Sequence, residues 1–588
     1  ANWEAGQQIV LTTTALKDAR DWHRNEVLTL SGQLSPAPHG FGAALQLTSP
    51  AQFAHEANDA WQGEVGLLSR RIVVQGAAGD SEPTDVTPLA CEDGTWVLTA
   101  HSMPCPNHLT GFGAHIIASG SGATARIAGV ELRRVGQTNV LGRYPVHFHV
   151  MGDVSTSGSP RAYVTDSSIH RSYYRCVSIH GTHRALVSQT VAYDAIGHCF
   201  YLEDGVEEHN TIEYNLAAHV HFIGAPGRAG GQRCADVEQS DDLILPADVT
   251  ASGFYVTNAQ NNLVGNAASG GWAGFAFPSL PNAVKLHRDH SVEPSNTQTL
   301  RFEGNSAHSS GFWWFSAGQI YVGGKLWHRR SESSHPDYDL LTYNPCRTDG
   351  RGGLTRLSET KVFLGRGVGV SHWGSQPEMV GFEAHDLALA ASILGSGWID
   401  RMLVRCRTGA TLQPPCDSCN ADSVMSGMLG SAFEWYDTAQ AHIVTNSTFR
   451  RCGVRTAAHG APGGCGDGSA GCSSRSSVWS LLAHSDQHVP EFMQATSGIR
   501  YEECGQRLRF SSFVTDSGRD LRNGMSSTVS GRISSWLDVD GTASELTTGT
   551  PVIIGSAVAD AHEWWRLDPH CLHAAEAPTW HCERRGAR

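Results

Sequence analysis

The chain has little of what builds helical, membrane-spanning or nucleotide-binding proteins. Its 588 residues include only 8 Met, and few runs repeat at the helical period, which argues against a helical fold. No apolar stretch reaches the ~20 residues that a transmembrane helix needs. No phosphate loop, dinucleotide motif or Ser–His–Asp order stands out, which removes the commoner kinase and hydrolase classes. No secretory signal pattern is present, and Ala1-Asn-Trp-Glu begins in mid-pattern, so we expect a trimmed N terminus.

The net charge of −14 is modest for this length and argues against nucleic acid as the main partner. The 64 Gly favour a β-rich chain with many turns, and the 15 Cys fit an oxidising compartment. Short disulfides are expected in Gly/Pro-rich loops at Cys416/Cys419, Cys465/Cys472 and Cys571/Cys582. Half a zinc site or a redox pair at Cys416-Asp-Ser-Cys419 is the less favoured interpretation, because no second CxxC accompanies it. The one N-glycosylation sequon, Asn446-Ser-Thr, is consistent with a secreted glycoprotein.

A short repeat runs through the centre of the chain. Residues 164–182 and 187–205 align without a gap at a spacing of 23, so that Cys176 falls on Cys199. The stretch Tyr144-Pro-Val-His-Phe-His-Val adds a third copy. Units this short cannot bury an apolar face alone and become stable only by stacking on one another, which predicts a solenoid.

The alternation of side chains within the copies predicts a parallel β-helix. Apolar residues share one strand face, at Val146/Phe148, Val177/Ile179 and Phe200/Leu202. Polar residues share the other face, at His147/His149, Ser178/His180 and Tyr201/Glu203. Strands that recur at roughly 20–30 residues leave no room for crossover helices. We expect the apolar set to be buried, and His149, His180 and Glu203 to form a column on the outer face of rungs about 4.8 Å apart.

The predicted fold is therefore all-β, a right-handed parallel β-helix with an N-terminal β-sandwich-like module and a disulfide-stapled C-terminal cap. The predicted domains are a connecting β-module over residues 1–124, the β-helix over 125–510 and the cap region over 511–588. Long loops are predicted where turn residues concentrate, at 225–247, 325–355 and 455–475. The cap follows because the open end of a solenoid has to be covered.

The polar column offers candidate catalytic groups. A His beside a carboxylate has its charged form stabilised and titrates near neutrality, which suits general acid–base catalysis. The candidates are His149, His180, Glu203, Asp204, Asp194 and His198. Glu203 or Asp204 would be the acid, and a His would be the base or would orient it. Glu203 and Asp204 are adjacent in sequence and point to opposite strand faces unless the strand ends there. Asp194 is therefore the candidate for a second carboxylate. A polar ladder that holds the rungs in register and a metal site built from two His and a carboxylate remain alternatives.

Basic residues crowd the same stretch. Arg binds carboxylate bidentately, so an acidic sugar polymer would find partners here. The predicted substrate-binding residues are Arg143, His147, Arg171, Arg175 and Tyr201, and a solvated basic face is the alternative.

Acidic residues cluster next to them. Glu203-Asp204-Gly-Val-Glu207-Glu208 places four acids in six residues, where a calcium site is one interpretation and a turn with exposed acids the favoured one. Asp538-Val-Asp540-Gly is predicted to be a tight turn rather than an EF-hand loop.

Four segments resemble the cell migration-inducing hyaluronidase family, whose β-helix core fibrocystin-like proteins share. They are Glu64-Val-Gly-Leu-Leu-Ser-Arg-Arg-Ile-Val-Val-Gln-Gly, Gly142-Arg-Tyr-Pro-Val-His-Phe-His, Arg175-Cys-Val-Ser-Ile-His-Gly and Gly197-His-Cys-Phe-Tyr-Leu-Glu-Asp-Gly. The resemblance covers nearly the whole chain and implies that its N-terminal region holds the end of that family's glycine-containing β-domain.

The resemblance implies an extracellular or cell-surface polysaccharide depolymerase, a hyaluronidase-like glycosidase acting on hyaluronan or a similar acidic glycan in a groove on the β-helix. It also implies an alternative, a non-catalytic fibrocystin-like receptor, adhesion or structural module that binds glycans or proteins. No nucleic-acid partner and no membrane span within the chain are expected. Calcium is the one cofactor that the acidic cluster brings into consideration.

Overall fold

The computed structural model describes the chain in segments. They are residues 3–16, 23–37, 42–83, 111–138, 140–221, 245–246, 250–310, 318–323, 327–328, 355–373, 376–394, 397–410, 431–435, 442–452, 481–483, 494–504, 508–510, 533–543, 545, 551–556, 571–574 and 579–583. These residues form strands, turns and short 3₁₀ helices such as Lys285–His287 and Pro294–Asn296, and among them there is no α-helix. No helix in these segments has the length and hydropathy that a membrane span requires.

By its contacts the chain divides into two compact units. The first comprises residues 1–345 with 364–366 and 410–420, and the second comprises the remainder. Both are built from parallel strands that stack rung on rung, which confirms the predicted right-handed parallel β-helix.

The first unit has three stacks of parallel strands, one for each side of a rung. One stack holds Ile116–Ser119, Val146–Asp153, Val177–His183, Phe200–Leu202, Ser252–Tyr255, Ala273–Phe277 and Ile320–Val322. A second holds Ile72–Gln75, Val130–Val135, Ser168–Ser172, Val191–Ile196, Leu216–His221, Ala267–Gly270 and Ser306–His308. The third holds Ala125–Ala128, Ala162–Thr165, Leu186–Ser188, Thr211–Glu213, Asn262–Val264 and Arg301–Glu303.

The apolar face of the repeat lies inside the first unit, as predicted. Val146, Phe148, Val177, Ile179, Phe200 and Leu202 are all buried. Val146 pairs with Val177 and Phe148 with Ile179 in the register read from the sequence. Rings at one inward position stack through successive rungs, with centroids 4.8 Å apart for Phe200–Phe254 and 4.6 Å for Phe254–Phe275. The interior therefore repeats one packing solution along the axis.

Asparagines fill equivalent turns between the stacks. The Asn215 amide donates to Asn266 Oδ1 and the Asn266 amide to Asn305 Oδ1, both at 3.0 Å. A parallel ladder joins Asn210 to Asn261. Because the same residues also bond turn backbone, buried polar groups that strands leave unpaired are satisfied.

The N-terminal region carries a small antiparallel sheet of Gln8–Leu11, Glu26–Thr29 and Val65–Leu67. Two further antiparallel pairs join Ser35–Pro36 to Ala43–Ala44, and Leu245–Pro246 to Trp327–His328. Parallel pairing begins before Ala125, because Ile72–Gln75 and Ile116–Ser119 already pair with rung strands. The domain boundaries given above remain predictions.

The second unit, taken by itself, is also built from stacks of parallel strands. One stack holds Thr355–Ser358, Pro377–Val380, Gly397–Asp400, His442–Thr445, Gln494–Ser497 and Ile533–Asp538. The long strand Glu383–Leu394 serves two others, one with Leu403–Arg405, Thr448–Arg450 and Arg500–Glu502, and one with Ser431–Trp435, Leu481–Ala483 and Leu508–Phe510. A further long strand is Lys361–Trp373.

The last strands turn antiparallel, as expected of a cap. Ile533–Asp538 pairs with Pro551–Ser556, which pairs with Thr579–Glu583, which pairs with Cys571–Ala574. Cys571 is opposite Cys582 in this register, while Cys416, Cys419, Cys465 and Cys472 lie outside the described residues.

Two disulfides are seen that the sequence reasoning did not predict. They are Cys176–Cys199 in the first unit and Cys406–Cys452 in the second. The first joins two equivalent positions of the repeat.

The Asp538 to Asp540 segment is a turn. The carboxylate of Asp540 accepts hydrogen bonds from the backbone N–H groups of Gly498 and Thr542 and from the Thr542 hydroxyl. These bonds occupy the acid that an EF-hand would use for calcium, and the chain bends at residues 539–541, after the strand Ile533–Asp538.

We expect Asn266→Ala to lower the unfolding temperature more than Asn262→Ala. The first change removes the acceptor of the Asn215 backbone N–H and one donor to the Ile212 carbonyl, and an orphaned buried group costs about 1–3 kcal/mol. The amide of Asn262 makes only a 3.4 Å contact with Thr211 Oγ1, so it is the matched control. Thermal unfolding of both variants measures this, and equal shifts would show that the ladder adds nothing specific.

Candidate functional site

The site forms where the polar face of three successive rungs meets a strand end. His149 and His180 are directly paired residues of neighbouring strands, and their Nδ1 atoms lie 3.0 Å apart. The next strand ends at Leu202, so Glu203 and Asp204 are freed from strand alternation. Both carboxylates therefore reach His180, Glu203 at 3.8 Å from Nδ1 and Asp204 at 2.8 Å from Nε2.

The predicted column exists, but the expectation that it lines an open outer face is wrong. His180 is 6% exposed, Glu203 5% and Asp204 0%. A segment from Leu280 to Asn296 covers them, tied down by the N–H of Val284, which donates to the Asp204 carbonyl at 3.0 Å. His149 is half-buried and His287 keeps 12% of its side chain exposed, so these two imidazoles form the accessible rim.

Glu203 is held as a compensated buried anion. Lys285 Nζ donates to its Oε1 at 3.0 Å and to the Tyr201 hydroxyl at 2.7 Å. The Ser178 hydroxyl donates to Oε2 at 2.9 Å, and the Tyr144 hydroxyl lies 3.4 Å from Oε1. Burial alone would raise the pKa of Glu203, but Lys285 and neighbouring histidines outweigh it and lower the pKa.

Asp204 receives two imidazoles on one oxygen. His180 Nε2 and His287 Nδ1 each lie 2.8 Å from its Oδ2. Burial opposes ionisation, but these two hydrogen bonds lower the pKa of Asp204. Because the contacts of both carboxyls favour their charged forms, they do not suit the acid role expected of Glu203 or Asp204.

The histidines differ in their surroundings. Burial disfavours charge on His180, yet the bond to Asp204 and the charge of Glu203 raise its pKa. Burial lowers the pKa of His147 to about 4 and, together with nearby His180, also lowers the pKa of His149. The rim imidazole of His149 is thus biased toward its neutral form.

The acidic run is held by hydrogen bonds, but the expectation of a turn with exposed acids is wrong, because Glu203, Asp204 and Glu207 are buried. The Glu207 carboxylate accepts the backbone N–H groups of Gly181, at 2.8 Å, and of Asp204 and Gly205. Burial and the neighbouring Asp204 raise the pKa of Glu207. Glu207 therefore fixes the turn that carries Asp204, and its buried oxygens are engaged with backbone rather than open to calcium as one interpretation required.

Three predicted substrate-binding residues lie inside rather than on a surface. Arg175 is fully buried, with its guanidinium 4.3 Å from the Tyr174 ring centre and 4.4 Å from that of Tyr201. Tyr201 is also buried, and His147 bonds the Gly142 carbonyl while stacking on His180. Arg175 is therefore not placed to contact a substrate carboxylate directly, because its side chain is fully buried against these two rings.

The remaining predicted residues are spread around the cluster. Arg143 is exposed and donates to Gln137. Arg171 and Asp194 line a separate cavity of about 510 Å³ together with Glu82 and Tyr173. His198 is fully buried, its ring 4.1 Å from that of Tyr255, so it supports the rung beneath Tyr201.

Sequence reasoning missed Lys285 and His287, which complete the site. They come from a non-repeating segment, Lys285-Leu-His-Arg-Asp-His, so no rung register pointed to them. Their local concentration of basic residues was the one available signal. Tyr144 belongs to the repeat copy Tyr144-Pro-Val-His-Phe-His-Val, but it precedes the alternating positions and was not predicted as a site residue.

We expect Lys285→Met to destabilise the chain, and Glu203→Gln to recover part of the loss in the double variant. Removing one partner of a buried ion pair leaves an uncompensated charge and costs about 3–5 kcal/mol. Gln keeps the shape of Glu203 without its charge. Unfolding of the two single variants, the double variant and the unmodified chain gives the coupling. Strictly additive effects would show that the pair does not carry the compensation.

This chain is similar to known proteins over the β-helix and beyond it. Residues 111–313, which include every residue of the cluster, match the family model described as CEMIP beta-helix. "Communication mutant protein F" of Dictyostelium discoideum is 35% identical over 591 residues, which are 99% of this chain and 46% of that protein. "Cell surface hyaluronidase CEMIP2" of Homo sapiens is 30% identical over 368 residues, 59% of this chain and 24% of that protein. The chain thus spans less than half the length of these relatives.

Among solved structures, the catalytic unit of a GH87 alpha-1,3-glucanase from Streptomyces thermodiastaticus strain HF3-3 is 10% identical. The superposition covers 86% of this chain and 84% of the glucanase chain. Its TM-score is 0.31, so no argument about function is drawn from it. The family match applies to one part of the chain: residues 111–313 are a β-helix segment of the CEMIP β-helix family.

Proposed function

We propose that the chain depolymerises an acidic polysaccharide of the hyaluronan class, and that it does so at the cluster of His149, His180, Asp204 and His287. The observation that carries the proposal is the pair of buried carboxyl groups of Glu203 and Asp204, beside which His180 and His287 lie at hydrogen-bond distance or close to it, next to the accessible rim. Buried charges are expensive and are concentrated at functional sites more often than elsewhere. The match of this segment to the CEMIP β-helix, and the name of the human relative, support the choice of substrate.

His149 is the group placed to meet the sugar. It is half-buried, and its Nδ1 contacts His180, which Asp204 orients from the far side. An imidazole held this way is suited to transfer a proton to or from a bound substrate. Asp204 and His180 then act as positioning residues. Lys285 compensates the buried charge of Glu203 next to them.

Arg143 is an exposed cation that lies shortly before His147 and His149 along the chain. The carbonyl of the preceding residue, Gly142, bonds the His147 ring at 3.0 Å. A guanidinium at this edge suits the regularly spaced carboxylates of a uronate polymer. Arg171 remains a second candidate for substrate binding, at its separate cavity.

An extracellular or cell-surface location accompanies this proposal. The disulfides Cys176–Cys199 and Cys406–Cys452 are of a kind that persists in oxidising compartments. Polysaccharides of the hyaluronan class also lie outside cells, so the proposed substrate and the disulfides point to the same location.

The first test is depolymerisation of sized hyaluronan and other uronate polymers by the purified chain, from acid to neutral pH. Chain length, new reducing ends and the ultraviolet absorbance of unsaturated uronate separate hydrolysis from elimination. We expect shortening of at least one polymer. If none is shortened, while binding is retained, the chain is a non-catalytic receptor or adhesion module instead.

We expect His149→Ala to lower kcat/KM by about 10²–10⁴-fold, the contribution of a positioned proton-transfer group. His55→Ala is the matched control, because His55 is also half-buried and lies 2.8 Å from a carboxylate, that of Glu26. Melting temperatures of both variants separate chemistry from folding. Full activity in His149→Ala would move the reaction elsewhere on the β-helix.

A further inference from the structure

We infer that His180, Asp204 and His287 form a binding site for a divalent transition-metal ion, with Zn²⁺ as the best-suited ion. The inference deepens the proposed function, since it concerns the same cluster. It makes a separate statement, however, because metal binding is measurable whether or not a polysaccharide is cleaved.

The donor set is the first argument. His180, Asp204 and His287 each offer one ligand atom, and these three atoms all lie within 4.8 Å of one another. Two imidazoles and one carboxylate are a set that Zn²⁺ takes in catalytic sites, where three protein ligands leave one position open. The same set with open positions also suits other divalent first-row ions.

The hydrogen-bond pattern around Asp204 is the second argument. Both imidazoles converge on Oδ2, whereas Oδ1 is buried and has no hydrogen-bond partner among the described residues. Two donors alone would be better accommodated by one on each oxygen, because an unmatched buried acceptor carries a desolvation cost. A cation among the three donor atoms accounts for their convergence.

The support around the ligands is the third argument. With Nε2 of His180 on a metal, its Nδ1 carries the proton, and an acceptor is in place, His149 Nδ1 at 3.0 Å, while the charge of Glu203 lies 3.8 Å away. Outer partners of this kind fix the tautomer and the orientation of a metal-bound imidazole. Glu207 fixes the two backbone turns beside His180 and Asp204 through Gly181 and Asp204 N–H bonds.

Close packing also places the third ligand. Gly181 has φ +51°, and a Cβ built on it would meet His287 Cε1 at 2.5 Å. Glycine at this position is therefore what lets the imidazole of His287 approach Asp204.

Calcium does not fit this site. It takes six to eight oxygen ligands, and the three converging donors offer a single carboxylate. A second group of three donors, His147, His149 and His180, also lies within 4.8 Å. None of its three donors is a carboxylate, and His147 Nδ1 is bonded to the Gly142 carbonyl, so the site with Asp204 is preferred.

Such an ion would lie beneath the rim formed by His149 and His287. A cation there would neutralise a substrate carboxylate or polarise a sugar oxygen next to the His149 imidazole, as Lewis-acid metals do.

The test is metal uptake by the full chain purified without a polyhistidine tag. After chelation and dialysis, titration with Zn²⁺ alone is followed by calorimetry, and bound metal is counted by elemental analysis. We expect one ion per chain at this site, and visible absorption bands of a four- or five-coordinate centre when Co²⁺ replaces it. His287→Ala should weaken binding at least about tenfold and remove those bands.

His287→Ala changes a side chain at the rim, so folding should be retained, and Asp204→Asn is the second ligand variant. His55→Ala is the control for a histidine–carboxylate pair outside the site. Binding that is absent in the folded chain, or unchanged in both ligand variants, overturns the inference. A metal-free but active chain would refute only the metal site, and a metal-binding chain inactive on every polymer would refute only the proposed function.

Discussion

Parallel, in-register stacking of short rungs is the constraint on which the rest of the structure depends. A residue at one position of a rung lies directly over its equivalent in the next, so one favourable contact is repeated along the axis. Phe200, Phe254 and Phe275 repeat an aromatic stack, and Asn215, Asn266 and Asn305 repeat an amide ladder. The same register brings His149 over His180.

Register alone does not make a site, because a column of polar groups on a strand face would be solvated. What changes its chemistry is the covering segment that includes Lys285 and His287. Burial by that segment makes the charges of Glu203 and Asp204 costly, and Lys285, His180 and His287 offset the cost at hydrogen-bond distance. The repeat therefore supplies alignment, and the non-repeating segment supplies charge balance and access.

The sequence predicted the elements that periodicity controls. Val177 and Ile179 are buried, and their pairing with Val146 and Phe148 matches the aligned copies. The disulfide Cys176–Cys199 was visible in the same alignment as one cysteine over another, although short loop pairs were expected instead. Nearest-neighbour stacking explains this success, since it ties each rung to the next by a fixed spacing.

The predictions that were wrong concern contacts that do not repeat from rung to rung. Arg175 was expected to bind substrate. It lies after the end of the strand Ser168–Ser172 with its own φ at 64°, and its guanidinium contacts two tyrosine rings. The column was expected to be open, and the covering residues 280–296 were not connected with it. A single sequence gives no register for such a segment, because its position is set by tertiary packing rather than by local pattern.

The position of Asp204 shows how these two levels combine. Had the strand Phe200–Leu202 continued, Glu203 and Asp204 would point to opposite faces, and His180 would contact only one of them. The strand ends because Glu207 captures the backbone N–H groups of Asp204 and Gly205 and folds the chain into a turn. One buried carboxylate thus redirects a second toward His180 and His287. The turn at residues 203–207, rather than the repeat itself, is what converts an aligned column into a site with converging donors.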